Sequence, residues 1–246
     1  MTPLFKYKRR LILDKSPWWT YLLYAVGEVI LVVVGILIAV EIDNRIEQKK
    51  IEVAELESYA DIISDLKQDS VKFAELQRLC SLQLKFYYHV FGEIKGKQQY
   101  DSTYYYDLLG VTRDVVPRTE QNHQSTIEKL TNKEVRQLLN EYFFRERIML
   151  EAADEINSTI IQETRPYIFK NGIIDPDRSF HSDTYGFLPK DHQLVNHDIL
   201  KRHYNDPEFI NILSQMRISQ GHLLSETKKI AIANSELIQE IEELMK

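Results

Sequence analysis

A single cysteine, Cys80, stands in the 246 residues, which excludes an intrachain disulfide and leaves the fold to packing. Glycine and proline are scarce too, at 8 and 7 residues. No proline falls between Pro17 and Pro117 and no glycine between Gly35 and Gly92, so helix breakers are missing over 36–91. A Gly-rich phosphate loop and a Gly-x-Ser-x-Gly nucleophile turn are also absent, which removes the commonest signatures of nucleotide binding and of serine hydrolases. No internal repeat and no low-complexity segment interrupts the chain.

What the chain does have is an apolar run over 18–42, broken near its middle by one carboxylate, Glu28, and closed by Glu41. At about 1.5 Å per helical residue this run spans about 37 Å, enough to cross a hydrocarbon layer of about 30 Å. It is too long for the apolar core of a signal peptide, and Leu37-Ile38-Ala39-Val40-Glu41 offers no small-x-small cleavage site, so a retained membrane anchor is expected. Nor is there a lipidation cysteine near the N-terminus.

Charge sets the expected orientation. The first 17 residues carry Lys6, Lys8, Arg9, Arg10 and Lys15 against Asp14, which places that end in the cytoplasm. Trp18, Trp19, Tyr21 and Tyr24 form an aromatic cluster of the kind found at membrane interfaces. Residues 44–246 carry 26 Lys/Arg against 33 Asp/Glu, an acidic balance that argues against nucleic-acid binding. Three segments follow: a cytoplasmic tail at 1–17, a transmembrane helix at 18–42 and an exported domain at 43–246.

The exported domain reads as all-α. Residues 43–91 are rich in helix formers, with an apolar stripe through Val53, Leu56, Tyr59, Ile63, Leu66, Phe73, Leu76, Leu79 and Cys80. A second helix is predicted over 132–165, with Asn132 as N-cap and Pro166 as its stop, and a short one over 125–130. Over 213–244 the seam Leu213, Met216, Gln220, Leu223, Thr227, Ile230, Asn234, Leu237, Ile241 and Leu244 alternates by three and four. Met216, Leu223, Ile230, Leu237 and Leu244 are its apolar series; Gln220, Thr227 and Asn234 are polar positions of the kind that fix register. Packing within the chain, as an up-and-down bundle of long helices, and an intersubunit coiled coil both satisfy this pattern. Two irregular regions remain, 92–123 and 166–206, the second a candidate partner surface or a lid over one end of the bundle.

Residues 21–44, YLLYAVGEVILVVVGILIAVEIDN, resemble a family of small single-span membrane proteins of uncharacterised function common in the Bacteroidota. These carry a Gly-Glu pair inside the span, then Gly-Ile-Leu-Ile-Ala and an Asn near the exit. The likeness is close over 18–50 and looser over 119–142; Asn44-Arg45-Ile46 departs from the family's Asn-x-Trp. It implies a Gram-negative inner membrane and a helical periplasmic domain, and no activity.

Glu28 is the foremost candidate functional residue. A charged carboxylate near the bilayer centre costs several kcal/mol against lipid, so it is expected to lose its charge, meet a partner, or both. Tyr21, Tyr24, Glu28, Gly35, Ala39 and Ile42 fall within about 40° of one line on a helical wheel. Gly35 and Ala39 make the small-xxx-small step that lets another helix approach closely. Three roles for this intramembrane face remain open: self-assembly, recognition of another membrane protein, and proton movement.

The remaining candidates carry less. His181, His192, His197 and His203 lie with Asp183, Asp191, Asp198 and Asp206, at spacings that match no compact zinc motif. His192 and His197 are the weak metal candidates, and surface loop positions are the simpler reading. Tyr104, Tyr105 and Tyr106 suit aromatic packing, or stacking on a ligand or partner. Cys80 reads as core. The expected function is therefore that of a non-catalytic, single-pass inner-membrane accessory or scaffold subunit, without cofactor, partnered by itself or by other membrane proteins. The alternative is a periplasmic ligand-binding sensor acting through a separate signalling partner.

Overall fold

In a computed structural model, residues 17–101, 115–180 and 194–246 are described. The basic residues of the N-terminal tail, Tyr104, Tyr105, Tyr106, His181, Asp183, Asp191 and His192 lie outside them. The chain is all-α, built of long helices, and it divides into two units, Met1–Glu57 and Ser58–Lys246.

Helix α1 runs Pro17–Ile94. Proline is accepted at a helix start, where its missing N–H would have no partner anyway, and no second proline follows it inside the membrane-length run. In the first unit the helix is exposed on every side: Leu31 is 74% and Tyr21 78% exposed, and nothing lies within 4 Å of a Cβ built on Gly35. Val53 and Leu56, expected in the apolar stripe, also belong to this unit and are exposed. The stripe is buried only from Tyr59 onward, through Ile63, Leu66, Phe73, Leu76 and Cys80.

The second unit packs the remainder of α1 with three further elements of its core: α2, Thr119–His123; α3, Lys133–Thr159; and, after the short helices described below, a long C-terminal helix, Pro207–Leu244. Asn132 caps α3 as expected, its Oδ1 accepting from Glu134 N at 2.9 Å and Val135 N at 3.2 Å. Pro166 does not end this helix. A π-helical turn over Ile160–Thr164 carries it into α4, Arg165–Lys170, with the proline in the first turn of α4. The wider turn displaces the i−4 pairing that proline cannot make, and the Thr164 hydroxyl bonds the Thr159 carbonyl. The true stop is Gly172, at φ +63°, with Ile173 N bonded back to Ile168 O. Where a short helix was expected over 125–130 there is a 3-10 turn at Ile127–Lys129, and the short α-helix of this stretch, α2, lies before it.

Short helices α5, Pro176–Phe180, and α6, His197–Arg202, occupy the described parts of the second irregular region. One antiparallel bridge joins Ile174 to Val195. Ile168, Ile173 and Leu200 are buried here, so this region closes the end of the bundle. Asp206 and Pro207 then start the C-terminal helix, now α7, Pro207–Leu244. Its seam is buried within the chain from Leu213 to Ile241, including Met216, Leu223, Ile230, Asn234 and Leu237; only Leu244, at the end, is exposed.

The topology differs from an up-and-down bundle. Side-chain bonds Lys67–Glu242, Ser70–Asn234 and Tyr88–Arg217 run α1 antiparallel to α7. Bonds Asn234–Tyr142, Ser219–Glu155 and Gln215–Thr159 run α3 antiparallel to α7 as well. Helices α1 and α3 are therefore parallel, and by Val116 the chain is back beside the middle of α1. Its return is fastened by a buried acid: Asp69 accepts from Arg118 N at 2.8 Å, Thr119 N at 3.0 Å and Thr119 Oγ1 at 2.8 Å, while Lys72 Nζ donates to Val116 O at 2.6 Å.

Candidate functional site

The face singled out in the apolar run lies on one continuous helix. Tyr21 and Tyr24 are 78% and 62% exposed, and Glu28, Gly35 and Ala39 are open on the same helix. Among the described residues, α1 is the helix long and apolar enough to cross a membrane. Glu28 has no Lys or Arg within ten residues of it in sequence; Arg45, the nearest among the described residues, bonds Glu41 at 2.8 Å.

The second unit holds two buried polar centres that the sequence pattern did not reveal. The first lies in mid-bundle around Asp69, which is fully buried. Beside it, Asp65 Oδ2 accepts from Asn122 at 2.7 Å and stands 2.9 Å from His123 Nε2. Glu146 of α3 is 2% exposed, and burial first, then the charges of Asp69 and Glu120, push its carboxyl up to about 8. Lys72 opposes the shift. A carboxyl this deep in a bundle is held neutral at pH 7 because charging it there costs more than protonating it.

Asn234 bridges the same layer: Nδ2 donates to Leu66 O at 3.0 Å and to the Tyr142 hydroxyl at 3.2 Å, and Oδ1 accepts from Ser70. The buried phenol of Tyr142 is pushed far up by that burial. Gln220, two turns along α7 from Thr227, is fully buried, and among the described residues neither atom of its amide has a hydrogen-bond partner.

The second centre closes the end of α1. Glu93 Oε2 accepts from the Tyr204 hydroxyl at 2.7 Å and lies 3.1 Å from His197 Nε2; its Oε1 lies 3.1 Å from His89 Nε2. Tyr100 stacks on His197, with centroids 3.7 Å apart. His197 is thus enclosed against Glu93 and is not a surface loop residue. His203 falls in a separate group, 2.9 Å from the Tyr167 hydroxyl, which also donates to Asp206. That contact holds the Asp206 carboxyl below the usual range, and burial together with Asp206 pushes the Tyr167 phenol up. Among the described residues no three His, Cys, Asp or Glu side chains are grouped to hold a metal ion. The imidazoles here point at carboxylate oxygens, which suits them to fastening α6 to α1. His89 and Glu93, four apart on a helix, were the signal for this centre; its other half lies more than a hundred residues away.

No family model matches the chain, and no curated protein or solved structure is significantly similar to it.

Proposed function

We propose that this protein is a single-pass inner-membrane accessory or scaffold subunit, acting without catalysis. Residues 18–42 form the span, residues 1–17 a cytoplasmic tail, and the helical domain stands in the periplasm. The observation that carries this reading is the bare apolar surface of α1 around Glu28: eighteen large apolar side chains exposed between Trp18 and Ile42 have no place in water, and one carboxylate among them has no place in lipid. Both demands are met when a second span covers the face of Tyr21, Tyr24, Glu28, Gly35 and Ala39. The small residues allow close approach and the polar ones supply interhelical hydrogen bonds. The resemblance over 18–50 to single-span proteins of the Bacteroidota supports the same placement.

Purification of the full chain in mild detergent, followed by mass spectrometry of the intact assembly, tests this. Wild type is expected as a complex with itself or another membrane protein, and Glu28→Leu as a dissociated chain. A wild-type monomer contradicts the reading.

A further inference from the structure

The outer groove between α1 and α7, on the side of the bundle away from α3, combines exposed aromatic surface with unpaired positive charge. Tyr88, Phe91 and Ile218 are 55%, 42% and 58% exposed along it, and with Leu213, Ser214 and Arg217 they enclose about 270 Å³. One turn on from Ile218, a Cβ built on Gly221 meets nothing within 4 Å.

Two cations sit on its rings. The Arg217 guanidinium lies 5.6 Å from the Tyr88 centroid and the Lys95 ammonium 5.2 Å from that of Phe91. Arg217 donates to the Tyr88 hydroxyl at 3.0 Å, so that hydroxyl acts as acceptor and keeps its own proton to give. Among the described residues neither cation has a carboxylate partner. Nor does either wall supply one: residues 76–92 and 209–225 contain no Asp or Glu, in a chain of net charge −6.

We infer that this groove docks a short acidic amphipathic helix of a partner protein. Charge complementarity selects an acidic occupant, since its carboxylates would meet Arg217, Lys95 and the free phenol proton. Shape suits a helix: the site lies between two antiparallel helices and runs from Leu213 to Ile218 along α7, roughly 8 Å at about 1.5 Å per residue, enough to seat the apolar face of about one and a half turns. A cavity this shallow does not bury a drug-sized ligand, for which about 300–1,000 Å³ is usual. Tyr, Arg and Phe are also the residue types that dominate protein-binding energy. This deepens the scaffold reading and rests on it, by giving the bundle its own binding surface separate from the span.

The test uses the full chain in lipid nanodiscs and a fluorescein-labelled, end-blocked 12-residue peptide with leucines at helical spacing and glutamates elsewhere. Anisotropy should rise saturably, with a Kd in the micromolar range, about −8 kcal/mol. The double variant Lys95→Gln, Arg217→Gln should raise Kd at least about tenfold with an unchanged helical signal, because both side chains are exposed tips. A peptide with lysine in place of glutamate should not bind. Absence of saturable binding, equal affinity in the double variant, or equal binding of the lysine peptide each overturns the inference. Association through the span is read independently, by the effect of Glu28→Leu on co-purification, so either idea can fail while the other stands.

Discussion

Asn234 of α7 donates to the Tyr142 hydroxyl of α3 at 3.2 Å while the same amide nitrogen holds the Leu66 carbonyl of α1 at 3.0 Å. One side chain therefore sets the relative register of the three long helices. An apolar residue there would fill the space but would tolerate a slip of a helical turn; the amide does not. We expect Asn234→Ala to cost about 2–4 kcal/mol, since it leaves a buried phenol without its donor and opens a small cavity. Thermal unfolding of the full chain in fixed detergent, followed by circular dichroism, checks this.

Gln220 makes the opposite case. It stands on the same seam, fully buried, with both amide atoms unpartnered among the described residues. Each such group carries a desolvation cost of about 1–3 kcal/mol. Gln220→Leu keeps the volume and removes the polar atoms, so it should raise stability by about 1–2 kcal/mol. A fall in the melting temperature would show that the amide finds a partner in solution.

Glu146 should make stability depend on pH in an unusual direction. Its folded-state carboxyl, raised to about 8 by burial, titrates above the unfolded value of 4.5. Between these values the folded chain binds a proton that the unfolded chain has released. The contribution of Glu146 is thus complete below about pH 4.5, declines as pH rises, and is gone above about pH 8, with a slope of up to about 1.4 kcal/mol per pH unit. The groups that face it are Asp69 and Lys72 of α1, Glu120 of α2 and Tyr142 on its own helix. Denaturation midpoints from pH 5 to pH 8 should fall for wild type and fall less steeply for Glu146→Gln.

Cys80 is fully buried in α1. A maleimide should leave it unmodified in the native protein and label it fully once denaturant is added. Rapid native labelling would place that stretch of α1 outside the core.

Much of this architecture was legible in the chain. The α7 seam was readable residue by residue, because a three-four alternation has one solution for which side chains face inward. Asn132 as a cap was readable for a similar reason: its signal is local. The parallel course of α1 and α3 was not, since it depends on Asp69 capturing the backbone of Arg118 and Thr119 about fifty residues on, and nothing local marks one acid among many as buried. Pro166 misled because its bias against helix is real but is relieved by one π-helical turn. Glu93 and His197 were hidden by separation in sequence. Glu28, by contrast, was visible at once, as a carboxylate in an apolar run has no competing context.

The contact face of the span is the centre of this account. A benzophenone photo-crosslinker placed one position at a time along residues 21–42, in native membranes, reads it directly. Positions 24, 35 and 39 lie on the Glu28 side of the helix, and positions 26, 33 and 37 lie opposite. Protein adducts are expected from the first set and none from the second. Adducts that are uniform around the helix, or absent from both sets, would contradict this.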